Sequence, residues 1–330
     1  MTISPIGLPI EALDTPTLLV DLDILERNLQ RMKRIIMDEA GIAWRPHTKG
    51  MKTPTLAHML MRAGAHGITC AKLGEAEVMA AGGVQNILIA NQVVGPLKAK
   101  RLARLQRSTS VLSCVDSECG AAFLGAAAIA EGTRVPVVIE VDTGMGRAGV
   151  LPGDATVDLA KRVDQIDGVE LVGLMTWEAA AAKEADIDAK RAAATRMLTG
   201  LTESADACRA AGLNMEIVTC GGTLTYWFSA FHPGVTEMQA GGGIYGDAMY
   251  CHKYGVDHEF ALTIKSTVTS RPTPRRIICD AGKKTMSADV AWPIPQGIGD
   301  VAEMKQSAEH GIIELVAPSD TPAVGDHLHW

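Results

Sequence analysis

Lys49 is the residue of this chain whose type and position most clearly indicate chemistry. It closes the run Trp44-Arg45-Pro46-His47-Thr48-Lys49, which follows an extended apolar stretch and precedes a helical one. The pattern places an amine at the carboxyl end of a strand, where α/β folds keep their reactive groups. A solvated lysine at a strand end is the alternative. Lys52, in the following turn, is a second amine that ranks below Lys49.

A glycine turn far downstream offers a binding site for phosphate. The strand that ends at Thr219 and Cys220 runs directly into this turn, and glycine lets a phosphate approach backbone N–H groups closely. The candidate contacts are Thr219, Gly221, Gly222, Thr223, Gly241 and Gly242. An ordinary strand-to-helix turn is the alternative. An amine and a phosphate cradle at one end of a sheet predict a pyridoxal 5'-phosphate enzyme, with the lysine as the Schiff-base anchor.

Composition excludes several classes of protein. The 330 residues are 47% hydrophobic with a net charge of −7, and no basic patch is interleaved with aromatics, which argues against nucleic-acid binding. No apolar run approaches the roughly 18 residues of a membrane span. The N-terminus lacks the pattern of a signal peptide. Seven cysteines without zinc-binding spacing predict buried thiols in a reducing cytoplasm.

Strand-like and helix-like stretches alternate regularly, which predicts βα units and a (β/α)8 barrel. Its strands are expected at residues 42–47, 67–70, 86–90, 111–115, 135–141, 169–176, 216–219 and 237–240. Its helices are expected at residues 54–63, 74–81, 96–105, 117–130, 155–165 and 186–211. The glycine turns after residues 220 and 240 follow the seventh and eighth strands, where such barrels bind phosphate.

The two ends of the chain depart from this alternation. Residues 17–21 form an extra strand before a helix at residues 24–37. The tail has strand patterns at residues 260–266, 276–279, 311–316 and 327–330, with turns that contain Pro and Gly between them. We therefore expect a barrel at residues 22–257 and a smaller, mainly antiparallel β domain at residues 1–21 and 258–330, incomplete at its C-terminus.

Further side chains are candidates for the site. His47 alternates onto the same strand face as Lys49, where it either shuttles a proton or holds the lysine loop. Trp177 and Glu178 end the sixth strand and are expected to face the cofactor ring. Less specific pocket candidates are Tyr226, Tyr245 and Asp247, and Cys220 is interpreted as core.

Seven segments, in order along the chain, carry a family resemblance. They are Asp14-Thr15-Pro16 with Asp21, Arg45–Lys49 with Lys52, Gly74-Glu75-Ala76, Glu140–Gly149, Gly221-Gly222-Thr223, Asp280-Ala281-Gly282 and Glu309-His310-Gly311. Together they resemble the D-threonine aldolase / D-serine dehydratase family of fold-type III pyridoxal-phosphate enzymes, which are relatives of alanine racemase.

The resemblance implies roles for particular residues. Lys49 becomes the anchor, and the guanidinium of Arg147 is expected to hydrogen-bond the cofactor's phenolate oxygen. Pairing of Arg147 with Asp142 is the alternative, and both contacts could hold at once. Relatives often have Gly and His where this chain has Ala179-Ala180-Ala181, so an acid/base histidine is expected to be absent. Substrates of D configuration and a homodimer are also expected.

A divalent metal such as Mn²⁺ is part of the same resemblance. The family's ligand pair shortly follows the strand aligned with residues 325–330, so the ligands are expected beyond residue 330, and no residue of this chain is assigned to a metal. His327 and His329 alternate onto one face, but a solvated edge-strand pair is favoured over a two-ligand site.

The predicted function is that of a lyase for small amino acids. It would cleave β-hydroxy-D-amino acids such as D-threonine by a retro-aldol reaction to glycine and an aldehyde, with a metal lowering the pKa of the β-hydroxyl. D-Serine or 3-hydroxyaspartate dehydratase and amino-acid racemase are the enzymatic alternatives. The alternative that is not an enzyme is a non-catalytic pyridoxal-phosphate carrier. Such carriers are usually a bare barrel, so the residues beyond His258 count against this alternative.

Overall fold

The computed structural model describes residues 4–330, with fourteen strands and nine α-helices in that range. The strands are β1 (Thr17–Val20), β2 (Ala43–Trp44), β3 (Ile68–Cys70), β4 (Ile87–Gln92), β5 (Val111–Val115), β6 (Val135–Glu140), β7 (Val169–Met175), β8 (Ile217–Cys220), β9 (Glu237–Met238), β10 (Leu262–Thr273), β11 (Arg276–Cys279), β12 (Val301–Gln306), β13 (Gly311–Leu315) and β14 (His327–His329). The helices are α1 (Leu22–Lys33), α2 (Pro54–Arg62), α3 (Leu73–Ala81), α4 (Pro96–Leu105), α5 (Glu118–Glu131), α6 (Asp154–Asp164), α7 (Ile187–Ala210), α8 (Tyr226–Ser229) and α9 (Ala248–Tyr254).

Strands β2 to β9 form one parallel sheet in the order β2-β9-β8-β7-β6-β5-β4-β3. A parallel bridge between His47 and Thr69 joins its two ends, and the Thr48 N–H donates to the Thr69 carbonyl at 2.7 Å. The sheet therefore closes on itself, and the predicted barrel is confirmed. Each predicted barrel strand overlaps an observed one, although β2 and β9 keep only two residues of regular ladder.

The composition of the strands explains why this sheet is buried. All five residues of β5 are buried, as a parallel strand covered on both faces requires.

Short turns at the ends of the helices then return the chain to the next strand. Pro96 occupies the first turn of α4, Ser117 caps α5 by accepting the Gly120 N–H at 3.2 Å, and Gly132 ends α5 at φ 64°. Helices α8 and α9 were not predicted, because such short helices show too little periodicity.

The remaining strands form an antiparallel sheet in the order β1-β10-β11-β13-β12, with β14 also paired to β10. The predicted strand at residues 260–266 extends to Thr273, because two register shifts bend β10 without ending it. Strand β12 was missed, since none of its side chains is fully buried and its alternation is weak. The core of this sheet includes Val268, Ile277 and Leu328.

The chain divides into two compact units. The larger contains Arg27–Ile244 and Tyr254–Val256. The smaller contains the described residues up to Glu26, Tyr245–Lys253 and Asp257–Trp330. Within residues 4–330, none of the helices combines the length and the hydropathy that a membrane crossing requires.

Candidate active site

The loop that carries Lys49 is fixed by a carboxylate at the start of α3. The Thr48 hydroxyl donates to Glu75 Oε1 at 2.5 Å, and the backbone N–H of Ala71 donates to Glu75 Oε2 at 2.8 Å. Glu75 thus ties the end of the lysine strand to the loop after β3. This contact gives the Gly74-Glu75-Ala76 segment a structural role.

Lys49 and Arg147 both lie against the ring of Trp177. The Lys49 Nζ and the Arg147 Cζ are each 5.0 Å from the ring centroid. Desolvation by the surrounding protein, and secondly the charge of Arg147, lower the pKa of Lys49, while Glu75 opposes the shift. Lys52, by contrast, is exposed on the following turn with φ 49°. Lys49 is therefore the amine placed beside a cation and an aromatic face.

Arg147 is held by a buried carboxylate that the sequence analysis did not identify. Its Nη2 lies 3.0 Å from Oε1 of Glu140, which is only 3% exposed. The other oxygen of Glu140 accepts from Gln92 Nε2 at 2.6 Å and from Cys114 Sγ at 3.5 Å. The side chain of Arg147 is thus anchored at the carboxyl ends of the barrel strands.

The alternative pairing of Arg147 with Asp142 is wrong. Oδ1 of Asp142 instead accepts backbone N–H groups of Gly144, Met145 and Gly146, at 2.8 to 3.1 Å. Burial acts to raise the pKa of this carboxyl, but these N–H groups and that of Arg147 outweigh it and lower the pKa. Asp142 therefore shapes the turn rather than pairing with the guanidinium.

His47 is a neutral side chain beside the amine. Burial and then the charge of Lys49 lower the pKa of His47 to about 3, with a smaller lowering by Arg147 and an opposing hydrogen bond that the ring donates to the Thr69 backbone. Its Nδ1 lies 3.4 Å from the backbone N–H of Lys49, which donates to it. A neutral imidazole accepts a hydrogen bond at one ring nitrogen and donates one from the other, but it carries no positive charge near neutral pH.

The glycines of the two turns, at residues 221–222 and 241–242, lie close to neighbouring groups of the protein. Gly221 has φ +92°, and a Cβ there would lie 2.0 Å from Met238 Sδ. A Cβ on Gly241 would lie 2.3 Å from the His47 carbonyl oxygen, so this turn packs directly on the lysine strand. A Cβ on Gly242 would lie 3.6 Å from Thr223 Oγ1, which brings the two turns together.

The cradle formed by these turns fits a phosphate group. Within residues 4–330, the backbone N–H groups of Gly222, Thr223, Gly241 and Gly242 donate to no other group. Partly buried N–H groups without acceptors are what an anion requires. Trp177 also belongs here, since its Nε1 would lie 2.9 Å from a Cβ on Gly222.

The remaining predicted contacts stay predictions, and the structure shows these surroundings for them. The Thr219 hydroxyl accepts from Gln239 Nε2 at 3.1 Å, and the buried ring of Tyr226 packs edge-on against Trp227. Tyr245 and Asp247 belong to the smaller unit. Cys220 is fully buried, and burial raises the pKa of its thiol, as expected for core.

Glu178, next to Trp177, is buried against the turn that follows β8. Its two carboxylate oxygens accept hydrogen bonds from Gly221 and Thr225 in the phosphate turn. These contacts give Glu178 partners in the turn after β8, and the expectation that it faces the cofactor ring stays a prediction.

The described residues do not fit a metal ion. Among residues 4–330, no group of three or more His, Cys, Asp or Glu side chains is arranged to hold one. The Nδ1 of His327 instead lies 3.3 Å from Thr267 Oγ1 on the neighbouring strand.

Comparison with known proteins agrees with the resemblance seen in the sequence. A family model described as the N-terminal domain of alanine racemase matches residues 20–249, and one described as a putative serine dehydratase domain matches residues 261–330. A 3-hydroxy-D-aspartate aldolase from Paracoccus denitrificans (strain Pd 1222) is 33% identical over 318 residues, which cover 93% of this chain and 82% of that protein. A D-threonine aldolase from Arthrobacter sp. is 32% identical over 327 residues, covering 97% and 85%.

Solved structures show the same relationship. The crystal structure of D-threonine aldolase from Filomicrobium marinum superposes with a TM-score of 0.92 at 34% identity, covering 97% of this chain and 87% of that one. D-threo-3-hydroxyaspartate dehydratase from Delftia sp. gives a TM-score of 0.86 at 31% identity, covering 97% and 90%. The chain therefore belongs to the family defined by the alanine racemase N-terminal domain, with D-threonine aldolase and 3-hydroxy-D-aspartate aldolase among its relatives.

Proposed function

We propose that this protein is a pyridoxal-phosphate-dependent lyase that cleaves β-hydroxy-D-amino acids, D-threonine-like substrates first, to glycine and an aldehyde. The family implies the cofactor, and relatives named D-threonine aldolase and 3-hydroxy-D-aspartate aldolase support the reaction. We also propose that residues 22–257 form the catalytic barrel. The observation that carries the proposal is the arrangement of Lys49, Trp177 and Arg147 beside a phosphate cradle with free N–H groups.

The chain's own residues suggest how the cofactor is held. Lys49 would anchor it, Trp177 and Arg147 would flank its ring, and the N–H groups of the two glycine turns would bind its phosphate. Bound pyridoxal phosphate supplies the electron sink for negative charge at the substrate Cα.

The protonation of the side chains fits this assignment. Because its pKa is lowered, a larger share of Lys49 is neutral near pH 7 than for a solvated lysine, and only the neutral amine attacks a carbonyl or takes a proton. His47, with a pKa of about 3, is a hydrogen-bond acceptor that keeps the lysine loop in place. We assign it to positioning rather than to proton transfer.

A dehydratase is the second candidate. D-Threo-3-hydroxyaspartate dehydratase shares the fold at a similar level of identity, so the scaffold also supports loss of the β-hydroxyl group. The aldolase is favoured because aldolase relatives match 93% and 97% of this chain, whereas the dehydratase from Delftia sp. (strain HT23), at 35% identity, matches 84% of it.

Three further properties belong to the proposal. Turnover is expected to need a divalent ion; a mutant of the related dehydratase has been solved in a metal-free form. A homodimer is expected, and the exposed apolar side chains of Leu18, Val20 and Leu262 on one sheet face are consistent with it. A reducing, cytoplasmic setting is supported by seven free thiols, five of them buried.

Product analysis tests the proposed reaction. Incubation with D-threonine should give glycine and acetaldehyde, whereas L-threonine should give neither. Ammonia and a keto acid from D-threonine or D-serine would establish the dehydratase instead. Turnover of L-threonine alone would contradict the assignment of handedness.

A further inference from the structure

Glu178 is a buried carboxylate without a charged partner in the described part of the chain. It is 0% exposed, and it makes no ion pair among the residues that the structure describes. Burying a carboxylate without a cation is costly, and an apolar side chain of similar volume would pack with less penalty. The carboxylate therefore needs a reason beyond packing.

Both carboxylate oxygens of Glu178 accept a hydrogen bond, and both donors belong to the phosphate turn, residues 221–225. Oε2 accepts the backbone N–H of Gly221 at 3.1 Å, and Oε1 accepts the hydroxyl of Thr225 at 2.6 Å. These two points flank Gly222 and Thr223, whose N–H groups remain free. Glu178 thus holds the turn on either side of the donors that the phosphate would use.

The contact between Glu178 and Gly221 also determines which backbone N–H groups remain available to a phosphate. Because the N–H of Gly221 is already bonded to Glu178, the phosphate is left with the N–H groups that follow it. The left-handed backbone of Gly221, at φ +92°, turns the chain there, and a side chain at this position would strike Met238. The turn is thus constrained by its conformation and by two hydrogen bonds.

We propose that Glu178 is a positioning residue for the cofactor's phosphate, acting through the hydrogen bonds to Gly221 and Thr225 and not through its charge. The proposal rests on the proposed pyridoxal-phosphate site. It predicts that Glu178 contributes to binding of ligands that carry a phosphate and contributes nothing to binding of the same ring without one.

The hydrogen-bond geometry identifies a variant that separates shape from charge. In Glu178→Gln, the amide oxygen would accept from Gly221, and the amide NH₂ would donate to Thr225. The Thr225 hydroxyl would then turn to the Gly222 carbonyl, 3.4 Å away. Every group keeps a partner, so this variant should hold the turn. Glu178→Leu removes both contacts, and Thr225→Val removes one of them without changing the shape of the side chain.

The test measures dissociation constants of pyridoxal 5'-phosphate and of pyridoxal, for the full chain freed of cofactor with hydroxylamine. Glu178→Leu should bind pyridoxal phosphate about ten-fold or more weakly, because donors lose their acceptor and the turn loosens. Its affinity for pyridoxal should be unchanged. Thr225→Val should show a smaller loss, of about three-fold, and Glu178→Gln should stay within about two-fold of the parent.

Several outcomes would overturn the inference. Equal losses for both ligands would indicate a general structural role. A Glu178→Gln variant as weak as Glu178→Leu would show that the charge is required. If Glu178→Leu does not fold, the ratio of the two constants in Thr225→Val decides: an unchanged ratio contradicts the proposal. Failure of the parent protein to bind either ligand would instead overturn the proposed function.

Discussion

Two cations lie 5.0 Å from the centre of one indole ring in this protein, and a neutral imidazole is electrostatically coupled to both. The charges of Lys49 and Arg147 repel each other, which favours loss of the proton from the amine, since a guanidinium stays protonated. Glu140 keeps Arg147 in place while leaving about half of that side chain exposed. At the scale of residues, the site is therefore an amine made reactive by its surroundings and a cation held by a buried carboxylate.

The pH dependence of cofactor attachment should report this electrostatic environment. We expect the attachment rate to rise with pH as Lys49 loses its proton, with a midpoint below the 10.5 of an ordinary lysine. Arg147→Met should move the midpoint upward, because removing a neighbouring positive charge makes the protonated amine easier to keep. Stopped-flow absorbance of the cofactor band measures the midpoint.

His47 supplies the control for that profile. With a pKa of about 3, it should contribute no limb between about pH 5 and 8. His47→Asn should therefore leave the shape of the profile unchanged there. A limb near pH 6.5 that disappears in this variant would contradict the assignment of His47 as a neutral acceptor.

The Glu140 carboxylate should matter through Arg147. We expect Glu140→Gln to lower kcat/KM for D-threonine by about ten-fold, because a charge-assisted contact to the guanidinium is replaced by a weaker one. Glu77→Gln, which breaks the surface pair with Arg101, is the matched control and should have no effect. Equal activity of the two variants would show that Arg147 needs no buried partner.

At the scale of elements, β10 contains a buried lysine that stabilises the start of the described chain. Lys265 is 1% exposed, and its Nζ donates to the carbonyl oxygens of Ile10, Glu11 and Leu13 at 2.8 to 3.1 Å. These carbonyls precede β1, which pairs with the same stretch of β10. One cation thus fixes the segment that leads into the edge strand.

Replacement of this lysine should destabilise the smaller unit. Lys265→Met leaves three carbonyls without their donor, and we expect a loss of about 3 kcal/mol in the free energy of unfolding. Lys305→Met on β12, where the lysine is 62% exposed beside Glu303, should cost less than about 1 kcal/mol. Urea titrations of both variants measure the difference. A similar small loss in both would show that the three contacts contribute little.

At the scale of the whole molecule, the parts predicted from sequence are those that local patterns determine. The alternation of strands and helices predicted the barrel, and strand-end spacing placed Lys49. The contacts of Glu75, Glu140 and Glu178 were not predicted, although all three residues were named, because their partners lie on other elements. Glu140, for example, meets Gln92 across 48 positions of sequence. Such contacts depend on which strand ends become neighbours, which periodicity alone does not show.

The central claim is that Lys49 anchors pyridoxal phosphate in this barrel, and borohydride reduction followed by peptide mapping tests it most directly. We expect the purified protein to absorb near the visible range and to lose that band on reduction. The cofactor should then be found on the peptide that contains Lys49, and Lys49→Ala should abolish the label while Lys52→Ala retains it. Label on Lys52 or on any other lysine, or a protein that takes up no cofactor, would contradict the account.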